Sequence, residues 1–363
     1  MSGRVRAREA GLRFGPGVTG PRNSVADVPG VKVGHCTLSR GSGALEEGKG
    51  PVRTGVTAVL PHGGNMNTLP VKAAYFDLNG CGGLMGALQI GEFGLIDTPI
   101  MLTNTMSMGA VADATVRHML RQCPQAGISE DTVIPIVSEC DDSYLNDARG
   151  LHVSERHVVE AIEGASLDVK EGAVGAGTGM SCYDFKGGIG TSSRLVEAPG
   201  GTYSVGVLVL SNHGSREELL VDGVHVGAML DTPNPKRVEQ GSIVTVVATD
   251  APVDPRQLGR LARRSCLGLA LTGSCSHNGS GDIVVAFSTA NAHDRTVKDR
   301  LRTDTLLADS DLNGLFRATV DCTSEAIINS LFKAETTEGR DGHVVPALPI
   351  DETLAILRRH GRL

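Results

Sequence analysis

The chain has 363 residues, 40% of them hydrophobic and 21% charged, with a net charge of −7; that is the make-up of a globular protein rather than a disordered or fibrous one. The acidic balance, the lack of a basic run and the absence of tryptophan exclude a nucleic-acid partner held by a cationic patch or by base stacking. No apolar run of about 18 residues occurs, and the basic start MSGRVRAREAGLRFGPG has no apolar core, so neither a membrane span nor a signal peptide is expected and the expected location is the cytoplasm.

Residues 1–23 are polar and glycine-rich and read as a flexible N-terminal arm. From Ser24, SVADVPGVKVGHCTL alternates apolar and polar residues, a strand pattern with a turn at Pro29-Gly30. GVTAVLPHGG is a second strand running into glycines, and GGLMGALQIGEFG a short helix. TPIMLTNT is a buried strand, followed by the amphipathic helix SMGAVADATVRHMLRQC, the buried strand TVIPIVSEC and the helix SERHVVEAIEGA capped by Ser154. AVGAGTGMSCYDFKGGIGTSSR reads as a glycine loop between strands, and GTYSVGVLVLSNHG as a long strand. After the polar, proline-containing segment 231–241 come the strand SIVTVVATDAP, the helix DPRQLGRLARRSCLGLALTG capped by Asp254, and the strand within GSGDIVVAFSTAN. The helices DLNGLFRATVDCTSEAIINSLFKA and ETLAILRRHG complete the chain as read. Strands with aliphatic residues on both faces suit sheets covered on each side, so 24–363 is expected to form a single α/β domain.

Several familiar motifs are absent. GAGTGM lacks the third glycine of a dinucleotide loop, KGGIGTSS lacks the lysine of a phosphate loop, and no GxSxG elbow occurs. Ser330 and Lys333 match SxxK but lie in an amphipathic helix without the partner motifs. The eight cysteines form no CxxC pair, no HExxH occurs, and His152 and His157 are spaced to diverge on a helix; no metal site is expected.

Three segments carry potential chemistry. Gly241–Ser242 stands at the mouth of a buried strand. It reads either as a strand-entry turn or as a self-cleavage point, where the serine hydroxyl attacks the glycine carbonyl and leaves a serine whose α-amine (pKa about 8) can assist as base. Ser280 and Asp282 stand two apart before a strand, on one side of extended chain; they form either a polar loop or a relay that orients a nucleophile. Glu139 and Asn212 are read at the ends of buried strands, with Tyr144 and Asp147 nearby. Such positions cap loops, or supply an oxyanion donor and a carboxylate for a substrate ammonium.

At these segments the sequence resembles the L-aminopeptidase/D-esterase family, which includes the β-peptidyl aminopeptidases. DVPGVKVGH, LTNTMSMGAV, GTGMSCYDFKGGIGTSSR, VLVLSNHG, GSIVTVVATDAP and NGSGDIVVAFSTAN carry the resemblance, over roughly 24–350. It implies a four-layer αββα sandwich of the N-terminal-nucleophile type, and a precursor that cuts itself into chains 1–241 and 242–363. It implies that Ser242 is the nucleophile, that Ser280 and Asp282 match the relay, Asn212 an oxyanion donor and Glu139 the acid that holds the substrate amine. It implies a homotetramer of cleaved pairs, with no metal or cofactor. Asp141 stands where an aromatic residue is expected, leaving Tyr144 as the nearest candidate, and Leu271 stands where relatives tend to carry arginine.

The expected function is hydrolysis of N-terminal residues from small peptides, amides or esters, β-peptides among the candidates. The alternatives are a nylon-oligomer-type amide hydrolase, an ornithine acetyltransferase-like acyltransferase, both of which expose threonine rather than serine, and a non-catalytic, uncleaved binding protein.

Overall fold

The computed structural model describes residues 4–231, 241–297 and 301–363. Two sheets form its centre. The first has the order β1 (Lys32–Arg40), β2 (Val52–Leu60), β6 (Ile100–Asn104), β7 (Ile136–Cys140), β4 (Leu84–Met85). The second has the order β10 (Gly188–Ala198), β11 (Gly201–Asn212), β12 (Ser242–Thr249), β13 (Gly281–Ser288), β3 (Val71–Gly80), β5 (Leu95–Ile96). β6 with β7 and β12 with β13 run parallel, while the other ladders are antiparallel.

The two-residue alternation of the strands builds four layers. On the second sheet Val205, Val207, Val209, Ile243 and Val247 face outward, where they pack with residues of α5 (Pro255–Ala270) and α6 (Asn313–Lys333). Their neighbours Leu208, Leu210, Val244, Val246 and Ala248 face inward, against Val33, Val59, Ile100, Leu102 and Ile136 of the first sheet. The outer face of that sheet, with Val56, Ala58, Met101 and Val137, is covered by Val111 and Ala114 of α2 (Met108–Gln122) and by Val158 and Ile162 of α3 (Glu155–Glu163). The αββα sandwich is therefore the observed architecture.

Local signals fix several boundaries. Asp254 accepts from the Gln257 amide at 2.7 Å while Gln257 accepts from the Asp254 amide at 3.1 Å. This reciprocal cap, with Pro255 in the first turn, starts α5 where the sequence places it. Asn104 likewise accepts from the Ser107 amide at 2.9 Å, turning the chain from β6 into α2.

Three expectations change. β3, VKAAYFDLNG, was not anticipated, and GIGTSSR, expected within a glycine loop, opens the eleven-residue strand β10, GIGTSSRLVEA. Its small residues let α6 lie close: a Cβ on Gly190 would stand 1.9 Å from the Ala326 carbonyl oxygen, and Ser192 Oγ donates to the Cys322 carbonyl at 2.7 Å. The segment read as a flexible arm packs on this layer over its described residues. Ala7, Leu12 and Phe14 are buried, and Arg8 meets Glu325 at 2.8 Å. Ser330 of the SxxK match bonds Ser211 at 2.6 Å inside the α6–β11 contact, a packing role.

Candidate active site

Ser242 is the first residue of β12 and pairs on one side with Asn212, the last residue of β11, and on the other with Gly281, the first of β13. Three strand ends thus converge at one edge of the second sheet, and ends of buried strands are where open sheets leave room for ligands. They border a cavity of about 690 Å³ lined by Glu139, Asp141, Tyr144, Asn212, Ser242 and Arg340 among others. Ser242 is 8% exposed and lines that space.

The nucleophile candidate is held by backbone. The Gly281 N–H donates to Ser242 Oγ at 3.2 Å. Before it, Gly241 runs so close to β11 that a Cβ there would stand 2.6 Å from the Asn212 carbonyl oxygen; any other residue would push the strand entry away. Most of the polar segment that leads to this bond, 232–240, lies outside the described residues.

Asn212 is fixed at both ends of its amide. Oδ1 accepts from the Ser181 N–H at 2.8 Å and Nδ2 donates to the Asp141 carbonyl at 2.9 Å. An amide nitrogen has two hydrogens, so one is left beyond the Asp141 bond. Ser280 Oγ donates to Asp282 Oδ1 at 2.7 Å. Burial pushes the Asp282 carboxyl above its ordinary range, against the pull of the Ser280 and Ser276 hydroxyls and of His277. No hydrogen bond joins Ser280 to Ser242 among the described residues; the register of β12 with β13 is what brings them to one level.

Glu139 lies within β7 rather than after it. It is almost fully buried, and accepts from the Gly83 N–H at 2.8 Å and from the Thr105 hydroxyl. Tyr144 lines the same cavity and stacks on His343, ring centroids 4.4 Å apart and planes 12° apart. Asp147 does not join them: it caps a turn and meets His152 at 2.8 Å. Leu271 is exposed just after α5.

Sequence reasoning missed Thr105, Gly83 and Arg340. Arg340 donates to the Ser143 carbonyl at 2.7 Å and borders the cavity; nothing in a lone arginine near the C-terminus announces this. Among the described residues no histidine lines the cavity. His213, next to Asn212, is wholly buried, and burial pushes its imidazole down to about 3, so it stays neutral and packs edge-on against Tyr183.

The family model for peptidase family S58 matches residues 23–345. The chain is 44% identical to a β-peptidyl aminopeptidase, BapA, of Sphingosinicella microcystinivorans, over 99% of this chain and 93% of that one. Among solved structures it is similar to the PH0078 protein of Pyrococcus horikoshii OT3, at 51% identity and a TM-score of 0.95, covering 99% of this chain and 100% of that one. It is also similar to the L-aminopeptidase D-Ala-esterase/amidase of Ochrobactrum anthropi, described as a variant of the Ntn hydrolase fold, at 39% identity and a TM-score of 0.93 over 99% of both chains. With the alternative of a non-catalytic protein thereby set aside, the chain belongs to peptidase family S58 and is an aminopeptidase.

Proposed function

We propose that this aminopeptidase matures by cutting its own Gly241–Ser242 bond and then uses Ser242 as an N-terminal nucleophile on small peptides, amides or esters with a free amine. One observation carries the reading. Ser242 begins β12 between Asn212 and Gly281, at the edge of the cavity that also holds Glu139.

In maturation, Ser242 Oγ adds to the Gly241 carbonyl, and collapse breaks the C–N bond to leave an ester. Breaking that bond already frees the α-amine of Ser242, and water then hydrolyses the ester to release the Gly241 carboxylate and restore the Ser242 hydroxyl. A glycine before the nucleophile leaves the carbonyl open to attack. The new amine, with a pKa of about 8, takes the base role that a histidine plays elsewhere, and no histidine among the described residues lines the cavity to compete for it.

In turnover, Glu139 holds the substrate ammonium and Ser242 Oγ attacks the first carbonyl. The spare amide hydrogen of Asn212 would serve as the donor that stabilises the oxyanion. The proton passes to the leaving amine through the α-amine, with the Ser280–Asp282 pair orienting it, and water releases the acyl group. No step requires a metal or cofactor. Tyr144 and Arg340 would form the wall that meets the rest of the substrate.

β-Peptides belong to the proposed substrate range because of the likeness to a β-peptidyl aminopeptidase. The cleaved pairs would assemble as a tetramer in the cytoplasm; exposed Leu88 and Phe93 on α1 (Ala87–Phe93) support an association surface. Among the described residues no helix is long and apolar enough to cross a membrane. The test is a panel of α- and β-dipeptides and amino-acid amides, each with a free or an acetylated amine. Cleavage confined to the free-amine members supports the reading, and equal cleavage of both sets ends it.

A further inference from the structure

A cluster outside the cavity lining brings together three side chains of different donor chemistry. Cys275 and His277 stand two apart in the loop after α5, with Ser276 between them in the left-handed region, φ 57°. That turn brings both side chains onto Glu218, 57 residues earlier in sequence than Cys275. His277 Nε2 lies 2.9 and 3.0 Å from the two Glu218 carboxylate oxygens. Cys275 Sγ lies 3.5 Å from Glu218 Oε1 and 3.7 Å from His277 Nε2. A tetrahedral zinc-class ion, with bonds of about 2.3 Å to sulfur and about 2.0–2.1 Å to nitrogen and oxygen, separates such ligand atoms by about 3.3–3.6 Å. The 3.5 Å sulfur distance falls in that range, and the 3.7 Å one exceeds it by only about 0.1 Å. Only the His277–Glu218 pair must open, by about 0.4 Å on the same geometry.

We propose that Glu218, Cys275 and His277 form a binding site for a zinc-class divalent ion, with a fourth position open to water. The donor set is the borderline thiolate, imidazole and carboxylate mix that selects zinc over magnesium or calcium. Cys275 is exposed and the other two residues are half-buried, so an ion can enter without opening the core. Capture displaces the Cys275 thiol proton to solvent, since the thiolate is the ligand. The site is separate from the nucleophile Ser242 but lies on the loop that carries Ser280: the His277 carbonyl accepts from the Ser280 amide at 2.8 Å and from Asn79 Nδ2 at 2.6 Å. An ion bound here clamps the segment that carries Ser280. This inference does not depend on the proposed cleavage or on Ser242.

The test uses purified full-length protein, in whatever processing state it is obtained, stripped with a chelator and titrated with Co²⁺. Saturation at one equivalent is expected, with a near-ultraviolet thiolate-to-cobalt band and visible bands of tetrahedral intensity. Zn²⁺ should displace the Co²⁺. Cys275→Ser abolishes the thiolate band and His277→Ala weakens binding by at least about tenfold, the scale of a disturbed metal shell, whereas Cys81→Ser, at the other exposed thiol, leaves the band unchanged. A second measurement needs no variant: zinc should protect Cys275 from alkylation, read by peptide mass spectrometry. Absence of the band in the wild type, its persistence in Cys275→Ser, or equal alkylation of Cys275 with and without zinc overturns the proposal.

Discussion

Asn212 and Ser242 are register partners across the antiparallel β11–β12 ladder, the last residue of one strand facing the first of the next. A backbone pairing, not a flexible loop, therefore sets the position of the amide relative to the hydroxyl. Removing the amide in Asn212→Ala should lower kcat by about 10²–10³-fold with little change in KM, the pattern for loss of one oxyanion donor. Steady-state kinetics on the processed fraction check this. A rise in KM with unchanged kcat would assign Asn212 to substrate binding instead.

The Ser280–Asp282 pair should act as a unit. Ser280→Ala and Asp282→Asn are each expected to slow turnover by about 10²–10⁴-fold, the scale of general acid–base help. The double variant should be little worse than either alone, because groups in one relay are not additive. Multiplicative losses in the double variant would show two independent roles.

Glu139→Gln keeps the shape and the acceptor for Gly83 but removes the charge that would meet an ammonium. A charge-assisted hydrogen bond contributes about 1.5–3 kcal/mol, so KM for free-amine substrates should rise by roughly tenfold or more. Discrimination against acetylated substrates should shrink in parallel. An unchanged preference for the free amine would move ammonium recognition to another carboxylate, such as Asp141, which also lines the cavity.

Asp142 gives a stability prediction. Burial pushes its carboxyl up to about 7, against the pull of side-chain hydrogen bonds with Thr54 and Asn146, the latter donated by Nδ2 to Oδ1 at 3.0 Å. An unfolded aspartate titrates near about 3.9. Between these values the folded chain holds a proton that the unfolded chain has released, so stability falls as pH rises toward about 7 and levels off above it. Asp142→Asn should flatten this decline and raise Tm at pH 8 by at least about 2 °C; a residual slope is expected from Glu171, whose carboxyl burial also pushes up to about 7. Thermal unfolding from pH 5 to 8 checks it, and a Tm at pH 8 lower in the variant would contradict it.

The parts of the fold that were legible in the sequence are those where local chemistry and packing agree. The caps at Asp254 and Ser154 and the aliphatic alternation of VGVLVL and IVTVV mark elements found within a few residues of where they were read. β10 was hidden because the demand on it comes from outside: α6 approaches so closely that glycine and serine replace the branched residues that announce a strand. Ser242, Ser280, Asp282, Asn212 and Glu139 could be named as candidates from sequence because each sits at or near a strand end that the hydrophobic pattern reveals. Thr105, Gly83 and Arg340 reach the same cavity from segments whose convergence depends on tertiary pairing, and Glu218 meets Cys275 and His277 for the same reason.

The most direct test of the account is the mass of the denatured protein, measured for wild type and Ser242→Ala. The wild type should resolve into two chains, 1–241 and 242–363, the second beginning with a free serine amine. Ser242→Ala should give one intact chain with a folded circular dichroism spectrum and no aminopeptidase activity. An intact wild-type chain that hydrolyses peptides at full rate, or a Ser242→Ala chain that still divides after Gly241, would contradict the claim that this serine cuts the bond and then serves as the nucleophile.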